Sequence, residues 1–191
     1  MVLQRSPKPL VRVRFLPPLP IRLCYTCHMS FFESVFKKFY ESDVNYLVVG
    51  GVAVNLHGYL RFTGDLDILV LIESKNLDKL DQAMKELGYT ERLSISIKDL
   101  EDEAKVTRWM GEKNLKAFTF LPPSENPLQI DIVIEGSLNF LKLAKNKEIK
   151  EIGGVPIPIV SIDDLIIMKK HAGRDKDRLD VEALLELKFS E

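Results

Sequence analysis

Cysteine is scarce in this chain. Its 191 residues include two cysteines, and both lie within the first 28 residues. So few thiols exclude a disulfide framework as the basis of the fold, and we expect a reducing, cytoplasmic location. Long apolar runs are also missing, because no stretch approaches the roughly 20 residues of a membrane-spanning helix. We therefore expect no membrane association.

A surplus of charge of one sign is absent as well. The chain has 27 Lys and Arg residues against 28 Asp and Glu residues, which gives a net charge of −1. Such a balance offers no overall attraction for a nucleic acid, so we expect no general DNA binding, and any basic groove must be local. The apolar content of 46% and charged content of 29% are typical of a soluble globular domain.

The first 28 residues differ in composition from the rest. They contain five prolines and five Lys or Arg residues, but no Asp, Glu, Gly or Ala. Prolines interrupt each apolar run, which disfavours a signal peptide or a targeting helix. We expect residues 1–28 to be a disordered extension, with Met29 as an alternative start, and residues 29–191 to form a single domain.

From Met29 onward, helical and strand-like patterns alternate. The sequence predicts an α/β fold in which one mixed β-sheet is flanked by helices. A segment over residues 93–113 is ambiguous, and we expect a short helix near 97–104 and a loop around Gly111. One predicted helix ends near residue 41, and the others span 53–58, 77–87, 138–144, 162–172 and 175–187. The predicted strands span 46–49, 65–71, 116–121, 128–135 and a hairpin over 150–160.

Two aspartates open the second predicted strand. In the stretch Asp65-Leu66-Asp67-Ile68, alternation places both carboxylates on one face and the apolar side chains on the other. The strand rise separates the two aspartates by about 6 to 7 Å, a spacing at which they can bind a hard divalent cation between them. Asp65 could instead cap the strand, but Asp67 would then be an unpaired charge in an apolar run.

A pair of glycines and a third aspartate complete the pattern. Gly50-Gly51 follows the first predicted strand, where glycines allow a phosphate to approach backbone N–H groups at a helix N-terminus, although a tight turn alone also explains them. Asp131 lies in the apolar run 129–134 and needs a metal or a Lys or Arg partner. If this strand lies beside the strand that begins at Asp65, the three aspartates converge, as a two-metal centre requires.

The order of these motifs resembles a known superfamily. Two glycines, thirteen intervening residues, Asp65-Leu66-Asp67 and a later Asp131 strand are similar to the nucleotidyltransferases typified by DNA polymerase beta. Within it, Arg61-x-Thr63-x-Asp65 and the tail from Lys169 to Asp180 resemble the small prokaryotic branch, which contains minimal nucleotidyltransferases and AbiEii-type proteins. The resemblance covers about residues 44–187. Many superfamily members carry Gly-Ser where this chain has Gly50-Gly51.

The resemblance implies a nucleotidyltransferase-like fold whose C-terminal helices close over the cleft. It implies an NTP substrate and two Mg²⁺ or Mn²⁺ ions, with Asp65, Asp67 and Asp131 as catalytic metal ligands. The residues expected to contact phosphate are Gly50, Gly51, Arg61, Thr63, Lys169 and Arg174. Purely structural interpretations stay open for several of these residues. Arg61 and Thr63 could order the turn before the strand, and Lys169 could complement a helix C-terminus. The alternating charges around Arg174 are typical of a solvated, ion-paired face.

The sequence therefore predicts a Mg²⁺-dependent nucleotidyltransferase that moves a nucleoside monophosphate to an acceptor hydroxyl and releases pyrophosphate. The acceptor is a protein, an RNA or a small molecule, and the residues do not distinguish these. One alternative is an antitoxin-like or regulatory binding module of a toxin–antitoxin or phage-defence pair, with little catalysis of its own and a cognate protein partner. Another is a metal-dependent hydrolase or nuclease that uses the same carboxylates.

Overall fold

A mixed sheet of seven strands organises the described part of the chain. The structure is a computed structural model, and it describes residues 21–113, 115–134 and 138–190. The strands are β1 (Tyr46–Val48), β2 (Asp65–Val70), β3 (Thr90–Glu91), β4 (Ala117–Leu121), β5 (Gln129–Val133), β6 (Glu148–Ile152) and β7 (Val155–Ile159). The helices are α1 (Ile21–Glu41), α2 (Gly50–His57), α3 (Ser74–Glu86), α4 (Glu103–Lys113), α5 (Phe140–Lys145), α6 (Ile162–Ala172) and α7 (Asp175–Ser190).

The order of the strands brings distant parts of the sequence together. Across the sheet the order is β3-β4-β5-β2-β1-β7-β6. The pairs β2–β5 and β1–β7 are parallel, whereas β1–β2, β3–β4, β4–β5 and β6–β7 are antiparallel. The predicted α/β class with a mixed sheet is confirmed, as are the predicted antiparallel pair β4–β5 and the hairpin β6–β7.

Alternating burial along the central strands separates the core from the polar face. Leu66 and Ile68 of β2 and Ile130 of β5 are completely buried, while the aspartates between them are half-buried. Aromatic residues of α1 cover the sheet from one side, where the ring of Tyr46 lies 5.1 Å from that of Phe39. Burial of these apolar side chains supplies most of the driving force for this arrangement.

The structure corrects the prediction for residues 93–113. A 3-10 helix spans Ile97–Glu101, and α4 then continues through Gly111, where a loop was expected. The loop prediction was wrong because Gly111 lies on an exposed helix surface, with no atom within 4 Å of the position of a Cβ. A glycine there costs about 1 kcal/mol without breaking the helix, and Trp109, which is 7% exposed, anchors α4. The two-residue strand β3 was not predicted.

Helix α1 begins earlier than the sequence suggested. It starts at Ile21, inside the segment that was expected to be disordered. The start follows Pro20, and residues 21–41 contain no proline or glycine to interrupt a helix. Residues 1–20 lie outside the described residues, and the domain boundary at residue 28 stays a prediction. No helix within the described ranges has the length and apolar character that crossing a membrane requires.

Candidate active site

Three carboxylates converge on the polar face at the centre of the sheet. Asp65 and Asp67 lie on β2, and Asp131 lies on β5, which runs parallel to β2 with Asp131 opposite Asp67. Each of the three residues has a carboxylate oxygen within 4.8 Å of those of the other two. The expected adjacency of the two strands is therefore confirmed. The convergence depends on this register, because a shift of one residue would turn Asp131 into the core.

The three negative charges of this cluster repel one another. Burial, followed by repulsion from Asp65 and Asp131, raises the pKa of Asp67 to about 6, although Lys169 and the Gly51 N–H act in the opposite direction. Three hard oxygen donors with excess negative charge match the ligand chemistry of Mg²⁺ or Mn²⁺. The cluster can therefore hold a divalent cation, which would relieve the repulsion.

Gln129 supports the third aspartate. Its side-chain Nε2 donates to both carboxylate oxygens of Asp131, at 3.1 Å each. Gln129 was not identified as a site residue from the sequence. Its position two residues before Asp131 on the same strand face was the signal that could have identified it, because residues i and i+2 share a face.

The two glycines allow the chain to pass very close to the aspartates. Gly50 has a φ of +64°, and a Cβ on it would lie 1.9 Å from Oδ2 of Asp67. A Cβ on Gly51 would lie 2.5 Å from Oγ1 of Thr63. Both positions exclude a side chain for steric reasons, so the glycines do more than form a turn. They place the first residues of α2 against the carboxylate cluster, and their contact with a phosphate stays a prediction.

Thr63 and Arg61 order the loop before β2. The hydroxyl of Thr63 donates to Oδ1 of Asp65 at 3.0 Å, which links Thr63 directly to the cluster. The guanidinium of Arg61 instead donates from Nε and Nη2 to the carboxylate of Asp180, at 2.6 and 2.8 Å. The structure thus shows the structural role considered for both residues. A phosphate contact from either one stays a prediction.

Lys169 and Arg174 belong to an ion-pair network around two buried aspartates, Asp177 and Asp180. Lys169 is 4% exposed, and its Nζ lies 2.8 Å from Asp180 and 3.2 Å from Asp177. Arg174 donates from Nε to Asp177 at 2.7 Å. Both cations also interact with the carboxylate cluster, because Lys169 lowers the pKa of Asp67 and the charge of Asp67 contributes to raising the pKa of Arg174. The network therefore brings positive charge to the edge of the site.

Asp177 and Asp180 were not identified as site residues from the sequence. The alternation of charges around them was considered typical of a solvated, ion-paired face. The ion pairing is confirmed, but these two residues are buried rather than solvated, at 1% and 0% exposed. Burial acts to raise their pKa values, but hydrogen bonds from Arg174 and Lys169 to Asp177, and from Arg61 and Lys169 to Asp180, hold both below the ordinary range. Their spacing of three residues, which places both on one face of α7, was the available signal.

Comparison with protein families decides the class. Residues 39–190 match the family model described as nucleotidyl transferase AbiEii toxin, type IV TA system. The chain belongs to the AbiEii nucleotidyltransferase family. The resemblance drawn from the motifs is confirmed, and this AbiEii protein is an enzyme of the nucleotidyltransferase class. Comparison with curated proteins found no match.

Solved structures share the fold of this AbiEii protein. The lincosamide antibiotic adenylyltransferase LnuA, solved with lincomycin, is 16% identical, with a TM-score of 0.52 over 83% of this chain and 96% of LnuA. The antibiotic-resistance factor ANT(2″)-Ia is 12% identical, with a TM-score of 0.54 over 86% of this chain and 84% of its own. A Thermotoga maritima protein assigned as a nucleotidyltransferase is 13% identical, with a TM-score of 0.52 over 88% and 96% of the two chains. At these identities the likeness establishes the fold.

Proposed function

We propose that this AbiEii protein transfers a nucleoside monophosphate from an NTP to an acceptor hydroxyl, with release of pyrophosphate, in a reaction that depends on Mg²⁺ or Mn²⁺. The observation that carries the proposal is the cluster of Asp65, Asp67 and Asp131, whose carboxylate oxygens lie within 4.8 Å of one another. The cluster lies next to the two glycines that begin α2. Carboxylates for a cation beside a backbone surface for phosphate are what phosphoryl chemistry requires.

The residues around the cluster have distinct roles in this proposal. Gly50 and Gly51 let the triphosphate approach the backbone, because neither has a side chain in the way. Thr63 orients Asp65 through its hydroxyl, and Gln129 orients Asp131. The ammonium of Lys169 and the guanidinium of Arg174 both interact electrostatically with Asp67. In this proposal they offset the negative charge on the departing pyrophosphate.

The transfer itself needs no covalent enzyme intermediate. The acceptor oxygen forms a bond to the α-phosphorus, and the bond from that phosphorus to the bridging oxygen breaks in line with it. Pyrophosphate leaves with the electron pair, and the acceptor proton goes to the carboxylate of Asp131 as general base. Asp65, Asp67 and Asp131 would hold the divalent cations, which supply positive charge against the phosphates and acidify the attacking hydroxyl. Positioning and charge compensation lower the barrier.

A labelling experiment tests this function. The full chain is incubated in host lysate with Mg²⁺ or Mn²⁺ and each α-³²P-labelled NTP, in parallel with an Asp65→Asn, Asp67→Asn double variant. We expect a labelled protein, RNA or small molecule that is absent with the variant. The labelled product would identify both the nucleotide that is transferred and the acceptor. Release of monophosphate without labelled acceptor would favour the hydrolase alternative, and equal labelling by both proteins would contradict the proposed site.

We also propose that the transfer reaction is toxic in the cell and that a cognate antitoxin opposes it. The support is the family model, which is named for the toxin of a type IV toxin–antitoxin system. This favours the toxin role over the antitoxin-like binding module. Induced expression should arrest growth, and the Asp67→Asn variant should not. Arrest by both proteins would indicate that binding, rather than nucleotidyl transfer, is responsible.

A further inference from the structure

The two edges of the sheet differ in length. One edge is β3, which has two residues, and the other is β6, which pairs with β7 over five residues. An edge strand carries N–H and C=O groups that can pair with another chain, and proteins restrict such pairing with short edge strands, proline or bulges. Residues 147–152 contain neither proline nor glycine, and the register of β6 with β7 runs without a bulge. A further strand can therefore pair with the β6 edge.

The geometry of the β6–β7 hairpin decides which backbone groups of β6 face this edge. A two-residue turn closes the hairpin between Ile152 and Val155, which lie opposite each other. Residues that flank such a turn form a hydrogen-bonded pair, and hydrogen-bonded and non-hydrogen-bonded pairs alternate along an antiparallel ladder. The N–H and C=O groups of Ile152 therefore point to β7. Those of Ile149 and Glu151 point away from it, toward the open edge.

The side chains along this edge form a self-complementary series. Residues 147–151 read Lys-Glu-Ile-Lys-Glu. When two copies run antiparallel with Ile149 opposite Ile149 of the second copy, Lys147 lies opposite Glu151. In the same alignment Glu148 lies opposite Lys150, and the twofold symmetry makes each pair occur twice. Opposite charges at directly facing positions stabilise a sheet, so this register has four attractive pairs around an apolar centre.

The neighbouring registers lack this complementarity. A step of two residues is the smallest that keeps each side chain on its own face of the sheet. In one direction it places Lys150 opposite Lys150 of the second copy, and in the other it places Glu148 opposite Glu148. Like charges at facing positions are destabilising. The alignment centred on Ile149 also lets the outward N–H and C=O groups of the two Ile149 residues bond to each other, as a hydrogen-bonded pair requires.

The side chains that this alignment needs are accessible. Ile149 is 56% exposed. Lys147 and Glu151 are both exposed, and neither forms an ion pair within the described ranges. Glu148 and Lys150 lie 3.0 Å apart, and their side chains keep 38% and 36% of their surface exposed. All five residues can therefore meet a second strand without unfolding part of the domain.

We infer that a second copy of this AbiEii protein pairs antiparallel with β6 and continues the sheet across a twofold axis, which makes the protein a homodimer. The inference does not depend on the transfer reaction. Tyr40, which is 61% exposed, lines a cavity of about 310 Å³ together with Ile149, so apolar surface beside the strand adds to the contact. A five-residue strand offers less area than the roughly 800 Å² per partner of a stable interface. We therefore expect a concentration-dependent equilibrium between monomer and dimer.

Analytical ultracentrifugation of the full chain, from low micromolar to near-millimolar concentration, tests the inference. The wild type should show a monomer–dimer equilibrium. Lys147→Glu or Glu151→Lys alone turns two attractive pairs into like-charge pairs, and each variant should raise the dissociation constant of the dimer by about 10- to 100-fold. Lys75→Glu makes the same change of charge as Lys147→Glu at an exposed position of α3. This control should leave the dissociation constant unchanged.

Recombination of the reversed charges identifies the interface. An equimolar mixture of Lys147→Glu and Glu151→Lys should form a mixed dimer, because both facing pairs again have opposite signs. The double variant that carries both substitutions should dimerise as the wild type does. A wild type that stays monomeric over the whole range would overturn the inference, as would a dimer that neither single variant weakens. If the single variants dissociate but the mixture and the double variant do not associate, the antiparallel alignment is wrong.

Discussion

The guanidinium of Arg61 forms a bidentate ion pair with the carboxylate of Asp180, with distances of 2.6 and 2.8 Å, although the residues are 119 positions apart. Arg61 belongs to the loop before β2, and Asp180 belongs to α7. The pair therefore links the C-terminal helix α7 to the loop before β2. Lys169 of α6 contacts the same carboxylate at 2.8 Å, so that one buried acidic group holds three parts of the site together.

Removal of this acidic group should destabilise the fold. Asp180 is 0% exposed, and Asp180→Ala leaves the charges of Arg61 and Lys169 without a partner. We expect the free energy of unfolding to fall by about 3 to 5 kcal/mol, the usual effect of breaking a buried ion pair, as measured by chemical denaturation. The exposed Asp175→Ala is the matched control and should change it by about 0.5 kcal/mol or less. Equal effects of the two variants would mean that the ion pair is not important for stability.

Gly50 should not tolerate even a methyl group. Its φ is +64°, and a Cβ there would lie 1.9 Å from the Asp67 carboxylate. Gly50→Ala should therefore displace Asp67, weaken Mn²⁺ binding and abolish transfer activity. Gly154→Ala is the matched control, since Gly154 has a φ of +82° but no atom within 4 Å of its Cβ position. It should cost only the strain of the left-handed conformation, about 1 kcal/mol, with activity retained. Retained metal binding in Gly50→Ala would show that Asp67 has room to move.

Asp67 should oppose folding when the protein is free of metal. Burial and the neighbouring Asp65 and Asp131 raise its pKa from 3.8 to about 6, so the folded state binds a proton more tightly than the unfolded state. Its favourable contribution is complete below pH 3.8 and is lost as the pH rises through about 6. Asp67→Asn should thus raise the free energy of unfolding by roughly 1 to 3 kcal/mol at neutral pH in EDTA.

Denaturation curves with EDTA and with Mg²⁺ check this prediction. Mg²⁺ should stabilise the wild type, because a bound cation offsets the repulsion, and should have little effect on Asp67→Asn. The exposed Asp175→Asn should behave as the wild type does in both conditions. A loss of stability in Asp67→Asn in EDTA at neutral pH would contradict the direction of the pKa shift.

Asp131 and Gln129 should separate catalysis from positioning. As the proposed general base, Asp131 contributes on the order of 10²- to 10⁴-fold to the rate, and Asp131→Asn should lower kcat by that factor with little change in NTP affinity. Gln129→Ala removes the two hydrogen bonds to Asp131, at 3.1 Å each, and should lower kcat by roughly 10-fold, in the range of a lost supporting contact. Steady-state kinetics on both variants measures this, and an unchanged kcat in Asp131→Asn would exclude Asp131 as the base.

Two buried tyrosines should differ in how loss of the hydroxyl changes the free energy of unfolding. Within the described part of the chain, the hydroxyl of Tyr46 has no hydrogen-bond partner, so Tyr46→Phe should leave the free energy of unfolding unchanged or raise it by about 1 kcal/mol. The hydroxyl of Tyr89 donates to the Leu128 carbonyl at 2.9 Å and accepts from Asn126 at 3.0 Å. Tyr89→Phe should lower stability by about 1 to 2 kcal/mol. Thermal and chemical denaturation of both variants distinguish the two outcomes.

Local patterns in the sequence predicted most of the elements. Alternation along β2 and β5 indicated that Leu66 and Ile130 face the core and that the aspartates face the other way, and burial in the structure agrees. The hairpin over residues 150–160 was also predicted, and in the structure the two glycines at its turn, Gly153 and Gly154, adopt positive φ. The prediction failed at Gly111, where a glycine on an exposed helix surface looks the same in sequence as a glycine in a loop.

The sequence by itself determined the class of chemistry: the spacing of two glycines and three aspartates is a property of the chain, since strand alternation fixes which side chains share a face. Only the tertiary structure decided which charged side chains lie next to one another and which are buried. The parallel register of β2 and β5 placed Asp131 beside Asp67, and the packing of α7 buried Asp177 and Asp180 against Lys169. The first contact joins strands that are far apart in the chain, and the second depends on how α7 packs against α6. An alternating run of Asp, Lys and Arg has the same local pattern whether water or the protein interior surrounds it.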